Sequence, residues 1–77
     1  MEIKIWQVPE SVPPTSHGFK YSLFYRYSGK RLVGYDNERG KGDHKHLNDG
    51  EIQYAVTTVE QLIQDFLDDV SFARGEP

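Results

Sequence analysis

The chain contains no cysteine. This excludes disulfide bracing and any thiolate-held metal. It also suits a reducing compartment, so a cytoplasmic protein is expected. No apolar run approaches the roughly 20 residues of a helical membrane span, and a membrane role is set aside. The opening residues MEIKIWQVPE have the layout of neither a signal peptide nor a transit peptide. There is no glycine-rich phosphate loop, dinucleotide fingerprint, serine nucleophile elbow or zinc finger. Internal repeats and low-complexity tracts are also missing. What remains for 77 residues is a single small domain over 1–77 with a thin core and modest stability.

The net charge of −3 hides an asymmetry. From Lys20 to His46, seven basic residues face three acids; from Asp49 onward, seven acids face one base, Arg74. A basic middle and an acidic end suggest one surface that tolerates a polyanion and another that does not. The plainer reading is that these charges only solvate a small domain.

Periodicity supplies the elements. Met1 to Val8 reads as a strand with apolar groups on both faces. Three prolines between Pro9 and Gly18 make that segment a loop. In Phe19 to Tyr27, the side chains of Phe19, Tyr21, Leu23, Tyr25 and Tyr27 share one face, and Lys20, Ser22, Phe24 and Arg26 share the other. Ser28-Gly29-Lys30 reads as a hairpin turn, returning in a strand from Arg31 to Asn37. Asn37 to Gly50 reads as a polar connection, with His44 to Leu47 a short extended piece inside it. Glu51 to Thr57 forms a further strand. Val59, Leu62, Ile63, Phe66, Leu67 and Val70 then fall on one face of a helix, with Thr58 and Gln61, or Thr57 and Glu60, as a capping box. Asp68 and Asp69 oppose the helix dipole, which suggests an exposed acidic edge for a partner or a simple aid to solubility. Residues 72–77 are expected to fray. The fold expected is α+β: an antiparallel meander of about four strands with one C-terminal helix packed on one face. An aromatic group on the opposite sheet face makes a homodimer an expectation.

Chemistry concentrates between Tyr35 and His46, in YDNERGKGDHKH. His44 and His46 lie on one side of an extended backbone. Imidazoles serve as acid and base near neutral pH. Asp36 is placed to orient one of them. Arg39, Lys41, Lys45 and Arg26 are candidates to hold phosphate, and together the set suits cleavage of an RNA phosphodiester without a metal. Two histidines with Asp36 or Asp43 also match a zinc site with an open position. His-x-His is commonly just two exposed histidines, so neither metal nor cofactor is expected. Asn37 is read as a strand-ending turn device that bonds its own backbone. Trp6 and Phe24 are the candidate base-stacking groups.

Lys20-Tyr21, Tyr35-Asp36-Asn37, Asp43-His44-Lys45-His46, Tyr54 and the helix run Leu62-Ile63-x-Asp65-Phe66 together resemble the TumE family of small bacterial toxin–antitoxin proteins. The resemblance covers roughly Glu2 to Val70. It implies a type II toxin whose neighbouring gene encodes a DNA-binding antitoxin, and an additional segment ahead of the first strand. It carries no catalytic residue set with it. The expected function is therefore a toxin acting on RNA or the translation machinery. The alternative is a non-catalytic interaction module whose polar loop and acidic helix edge are docking surfaces.

Overall fold

The computed structural model describes residues 1–8, 18–38, 42–48 and 50–75. Five strands, β1 (Glu2–Gln7), β2 (Phe19–Tyr27), β3 (Lys30–Glu38), β4 (Gly42–Leu47) and β5 (Gly50–Gln53), precede one helix, α1 (Val59–Ala73). The strands form one antiparallel sheet in the order β1-β2-β3-β4-β5. The α+β meander with a C-terminal helix is as expected, with one more strand. The Pro9 loop, Arg39 and Lys41 fall outside the described residues.

The added strand is β4. It carries little apolar content, because both its faces hold polar groups that find partners: Asp43 and Lys45 point toward the helix, His44 and His46 away from it. An apolar-alternation test is blind to such a strand. β5 is correspondingly shorter than the Glu51–Thr57 expected. Its last partnership is Gln53 with His44, and β4 offers little beyond that point to pair with. Asp43 serves the exiting chain instead. Its backbone oxygen accepts from Tyr54 N at 3.4 Å, and its carboxylate accepts from Val56 N at 3.4 Å.

The β2–β3 hairpin turns on Ser28 and Gly29, both at positive φ (55° and 78°). Two left-handed central residues define the turn whose twist matches antiparallel strands. Ser28 adopts this conformation without a glycine's freedom.

One sheet face is buried under α1. Tyr21, Leu23, Val33 and Tyr35 from the sheet meet Leu62, Phe66 and Val70 from the helix. The apolar stripe of α1 thus faces inward, and Thr58 Oγ1 caps the helix by accepting from Gln61 N at 3.0 Å. Of the aromatic face of β2, Tyr21 is buried, whereas Tyr27 lies beyond the helix and is exposed.

Polar groups close this interface. Tyr35 OH donates to Asp69, which also pairs with Lys45 Nζ at 3.2 Å. Tyr54 OH donates to Asp65 at 2.5 Å, and Tyr21 OH to Asp43 at 2.9 Å. Tyr35 stands edge-on to Tyr54 and Phe66, at 4.9 and 5.8 Å between ring centroids. Asp69 is thus an anchor between helix and sheet, not an exposed docking edge. The local helix dipole disfavours it there, and the tyrosine and lysine across the interface hold it. Asp68 is exposed and accepts from Gln64 one turn earlier at 2.8 Å.

Asn37 also differs from its expected role. It is buried, and its side chain bonds the neighbouring strand, not its own turn. Oδ1 accepts from Tyr21 N at 3.1 Å, and Nδ2 donates to Phe19 O at 2.8 Å. It carries the β2–β3 ladder past Ser22↔Asp36, the last backbone pair at that end.

Two predictions follow from this core. Asn37→Ala removes the side-chain hydrogen bonds to Tyr21 N and Phe19 O, which costs about 2–4 kcal/mol. It should lower the urea midpoint sharply, and an unchanged midpoint would show that water replaces the amide without loss. The second concerns alkali. Burial, then the hydrogen bond each donates, raises the hydroxyl pKa values of Tyr21 and Tyr35 well above the usual tyrosine range, and that of Tyr54 likewise. Unfolded tyrosine titrates near pH ~10. Below that pH both states hold these protons and the stabilisation is complete. Above it the unfolded chain releases protons that the folded chain retains, so stability falls as pH rises. Urea midpoints should drop between about pH 8 and about pH 11, and less so in Tyr35→Phe.

Candidate functional site

The sheet face away from α1 carries Asp36, His44 and His46. Strand pairing places side chains on it in cross-strand rows. One row reads Lys4, Ser22, Asp36, His44, Gln53; the next reads Glu2, Phe24, Gly34, His46, Glu51. Directly opposed residues share a face, so Asp36 and His44 are neighbours by register. His46 follows two residues along the same strand.

Asp36 Oδ1 lies 2.6 Å from His44 Nε2. His44 is buried, and its Nδ1 lies 3.1 Å from Gly42 O. A carbonyl oxygen only accepts, so Nδ1 is the donor and the ring is fixed with Nε2 toward the carboxylate. Asp36 Oδ1 and His44 Nε2 are both closed off from solvent, and neither meets hydrogen-bond alignment with a described group. Their approach is thus one of ion-pair length without good directionality. His46 packs edge-on to His44, with centroids 5.1 Å apart, and keeps a quarter of its side chain exposed. Glu51 Oε1 lies 3.6 Å from His44 Nε2 and 3.9 Å from His46 Nε2. His44 also borders a cleft of about 250 Å³ shared with Asp43, Glu51 and Gln53.

The structure therefore brings Asp36, His44 and His46 together. It sends Lys45 elsewhere. On the alternate parity of β4, its ammonium faces the helix, bonded to Asp69 and within 6 Å of the Tyr35 and Tyr54 ring centres. Arg26 stays on the open face, exposed, with its guanidinium 5.0 Å from the centre of the Phe24 ring. Trp6, cross-strand from Lys20, is exposed on the same face.

Two residues join the site that sequence reading did not single out. Glu51 arrives because β5 pairs it with His46. Arg31 arrives because Gly34 has no side chain: a Cβ there would meet Arg31 Nε at 3.3 Å, so the arginine stem lies over the gap between Phe24 and His46. Glu51 could have been found by counting outward from a β4–β5 turn. Arg31 depends on a bulge, which shifts the register between Tyr25 and Arg26, and a sequence does not display it.

The family model described as "Toxin TumE" matches residues 1–73. This chain belongs to the TumE toxin family. Comparison with curated proteins and with solved structures gave no match. Membership makes the chain a toxin and implies an antitoxin partner. Among the described residues, no helix is long and apolar enough to cross a membrane. In this TumE toxin one sheet face is occupied by the protein's own helix, and Asp36, His44 and His46 lie on the other.

The placement of Lys45 gives a direct test. Lys45→Met removes one of the two partners of the largely buried Asp69 carboxylate, the other being Tyr35 OH, and should destabilise the fold by about 1–3 kcal/mol. Urea unfolding checks this; a midpoint equal to that of the parent chain would mean the Lys45–Asp69 pair contributes no net stability.

Proposed function

We propose that the chain is the toxin half of a type II toxin–antitoxin pair, that it acts in the cytoplasm on RNA, and that Asp36, His44 and His46 are its reactive centre. The observation that carries the reading is the meeting of one carboxylate and two imidazoles on a sheet face left uncovered by the helix. Lys20, Arg26 and Arg31 supply positive charge on or beside that face. Trp6 offers an aromatic plane for a base.

In this reading the two histidines do unequal work. His44 is enclosed, held at one nitrogen by Gly42 O and faced at the other by Asp36. It is a positioning group. His46 is the more accessible imidazole and is the one to exchange a proton with substrate. It takes the proton of a ribose 2′-hydroxyl as that oxygen attacks phosphorus. The bond from phosphorus to the 5′-oxygen breaks, and the departing 5′-oxygen takes a proton from water. The cations hold the phosphate and offset the charge that builds on it. The partner is a DNA-binding antitoxin encoded by the neighbouring gene, whose co-expression should restore growth.

Inducible expression in a bacterial host tests this. The parent chain should stop growth and the neighbouring gene should rescue it, while His46→Gln should abolish inhibition with an unchanged circular dichroism spectrum. Binding of single-stranded RNA through three cations should show a slope of about −2 in log K against log salt. Inhibition retained by a folded His46→Gln chain would assign toxicity to docking in place of chemistry. A flat salt dependence would remove RNA as the target.

A further inference from the structure

We propose that Asp36, His44 and His46 form a binding site for one divalent first-row transition ion of the zinc type, with Glu51 as a fourth ligand. The inference deepens the reading above by naming what occupies its centre, and it stands on measurements that need no RNA.

Three observations support it. First, one ligand atom from each of Asp36, His44 and His46 lies within 4.8 Å of the others. Second, His44 Nε2 and Asp36 Oδ1 are buried and lack aligned hydrogen-bond partners, yet they face each other at 2.6 Å. With Nδ1 donating to Gly42 O, Nε2 and the carboxylate oxygen present lone pairs to one another. Two acceptors at that separation repel unless a proton or a cation lies between them. Third, the contact from Nδ1 to a main-chain carbonyl is the outer support that metal-bound histidines ordinarily have. It fixes the tautomer and aims the free nitrogen.

The spacing suits an ion. Bonds of about 2.1 Å hold tetrahedral ligands about 3.4 Å apart. Asp36 and His44 need to part by less than about 1 Å to reach that separation. Glu51 Oε1, at 3.6 and 3.9 Å from the two imidazole nitrogens, is already close to it. The four donors sit on three adjacent strands in direct register, Asp36 opposite His44 and Glu51 opposite His46. This is a rigid base for a metal site. Two imidazoles with two carboxylates favour zinc, cobalt, manganese or iron(II) over calcium, which takes oxygen alone, and over copper(I), which takes sulfur. With an ion bound, the imidazoles become ligands. His46 is then no longer free to accept a proton, and only a water taking the place of Glu51 on the ion can accept it instead.

The test uses the full chain, stripped with chelator. Zn²⁺ is titrated calorimetrically and Co²⁺ by visible absorption, both without nucleic acid. One equivalent per chain should bind, with cobalt bands of a nitrogen–oxygen site and a rise in thermal midpoint. His46→Gln and Asp36→Asn should each weaken Zn²⁺ binding by at least about tenfold. His46→Gln carries the most weight, because its side chain is partly exposed and the substitution spares the buried His44. His17→Gln, outside the described residues, should change nothing. The proposal is overturned if neither ion saturates the chain below about 1 mM, or if binding survives His46→Gln and is lost in His17→Gln. A chain that stops growth but takes up no ion would remove the metal site and leave the RNA reading standing. Uptake that depends on His46, in a chain inert toward RNA, would do the reverse.

Discussion

The pairing of β3 with β4 is the constraint on which the rest depends. Its register sets Tyr35 opposite Lys45 and Asp36 opposite His44. The first pair points to the helix and the second to the open face. A slip of one residue would exchange the faces, burying Asp36 under α1 and turning Tyr35 out to water. The core therefore enforces the site. Tyr35 is held by Asp69, by the edges of Tyr54 and Phe66, and by the Lys45 ammonium, and each of these contacts resists the slip. Asn37, next along β3, fastens the same strand to β2.

The interface between helix and sheet is unusual in its composition. In a domain of this size an apolar core alone is marginal. Here three tyrosines supply ring area to the core, and each hydroxyl ends on an aspartate. The rings contribute burial, and the two hydroxyl–carboxylate bonds that reach α1, Tyr35–Asp69 and Tyr54–Asp65, give the helix a fixed position along its axis, which an apolar stripe alone specifies poorly. Two of the seven acids from Asp49 onward have this structural purpose. The charge asymmetry of the chain is thus partly internal: Asp65 and Asp69 are spent on Tyr54, Tyr35 and Lys45.

Sequence reading finds what depends on period and local chemistry. The aromatic alternation of β2, the turn at Ser28-Gly29 and the Thr58 cap are all explained by neighbours a few residues apart. The grouping of Asp36 with His44 and His46 was also legible, because one short excursion of chain separates them. The reading runs out where long-range contacts decide. β4 has no apolar signature, since its lysine is satisfied by Asp69 of the helix and its aspartate by Tyr21 of β2, each more than twenty residues away. Lys45 looks like its basic neighbours in sequence, and only parity assigns it to the opposite face. Asp69 looks exposed on a helical projection until Tyr35 is placed beneath it. Arg31 and Glu51 reach the site through a bulge and a strand pairing, neither of which has a local signal.

The alternation along β3 and β4 has an evolutionary consequence. Val33, Tyr35 and Lys45 maintain the fold, while Gly34, Asp36, His44 and His46 face outward between them. The residues that seat the helix and those that line the open face are interleaved over 33–36 and 44–46. Substitutions confined to the outward parity can change the open face while the helix stays seated. A lineage under pressure to change its target therefore has a route that avoids passing through unfolded intermediates.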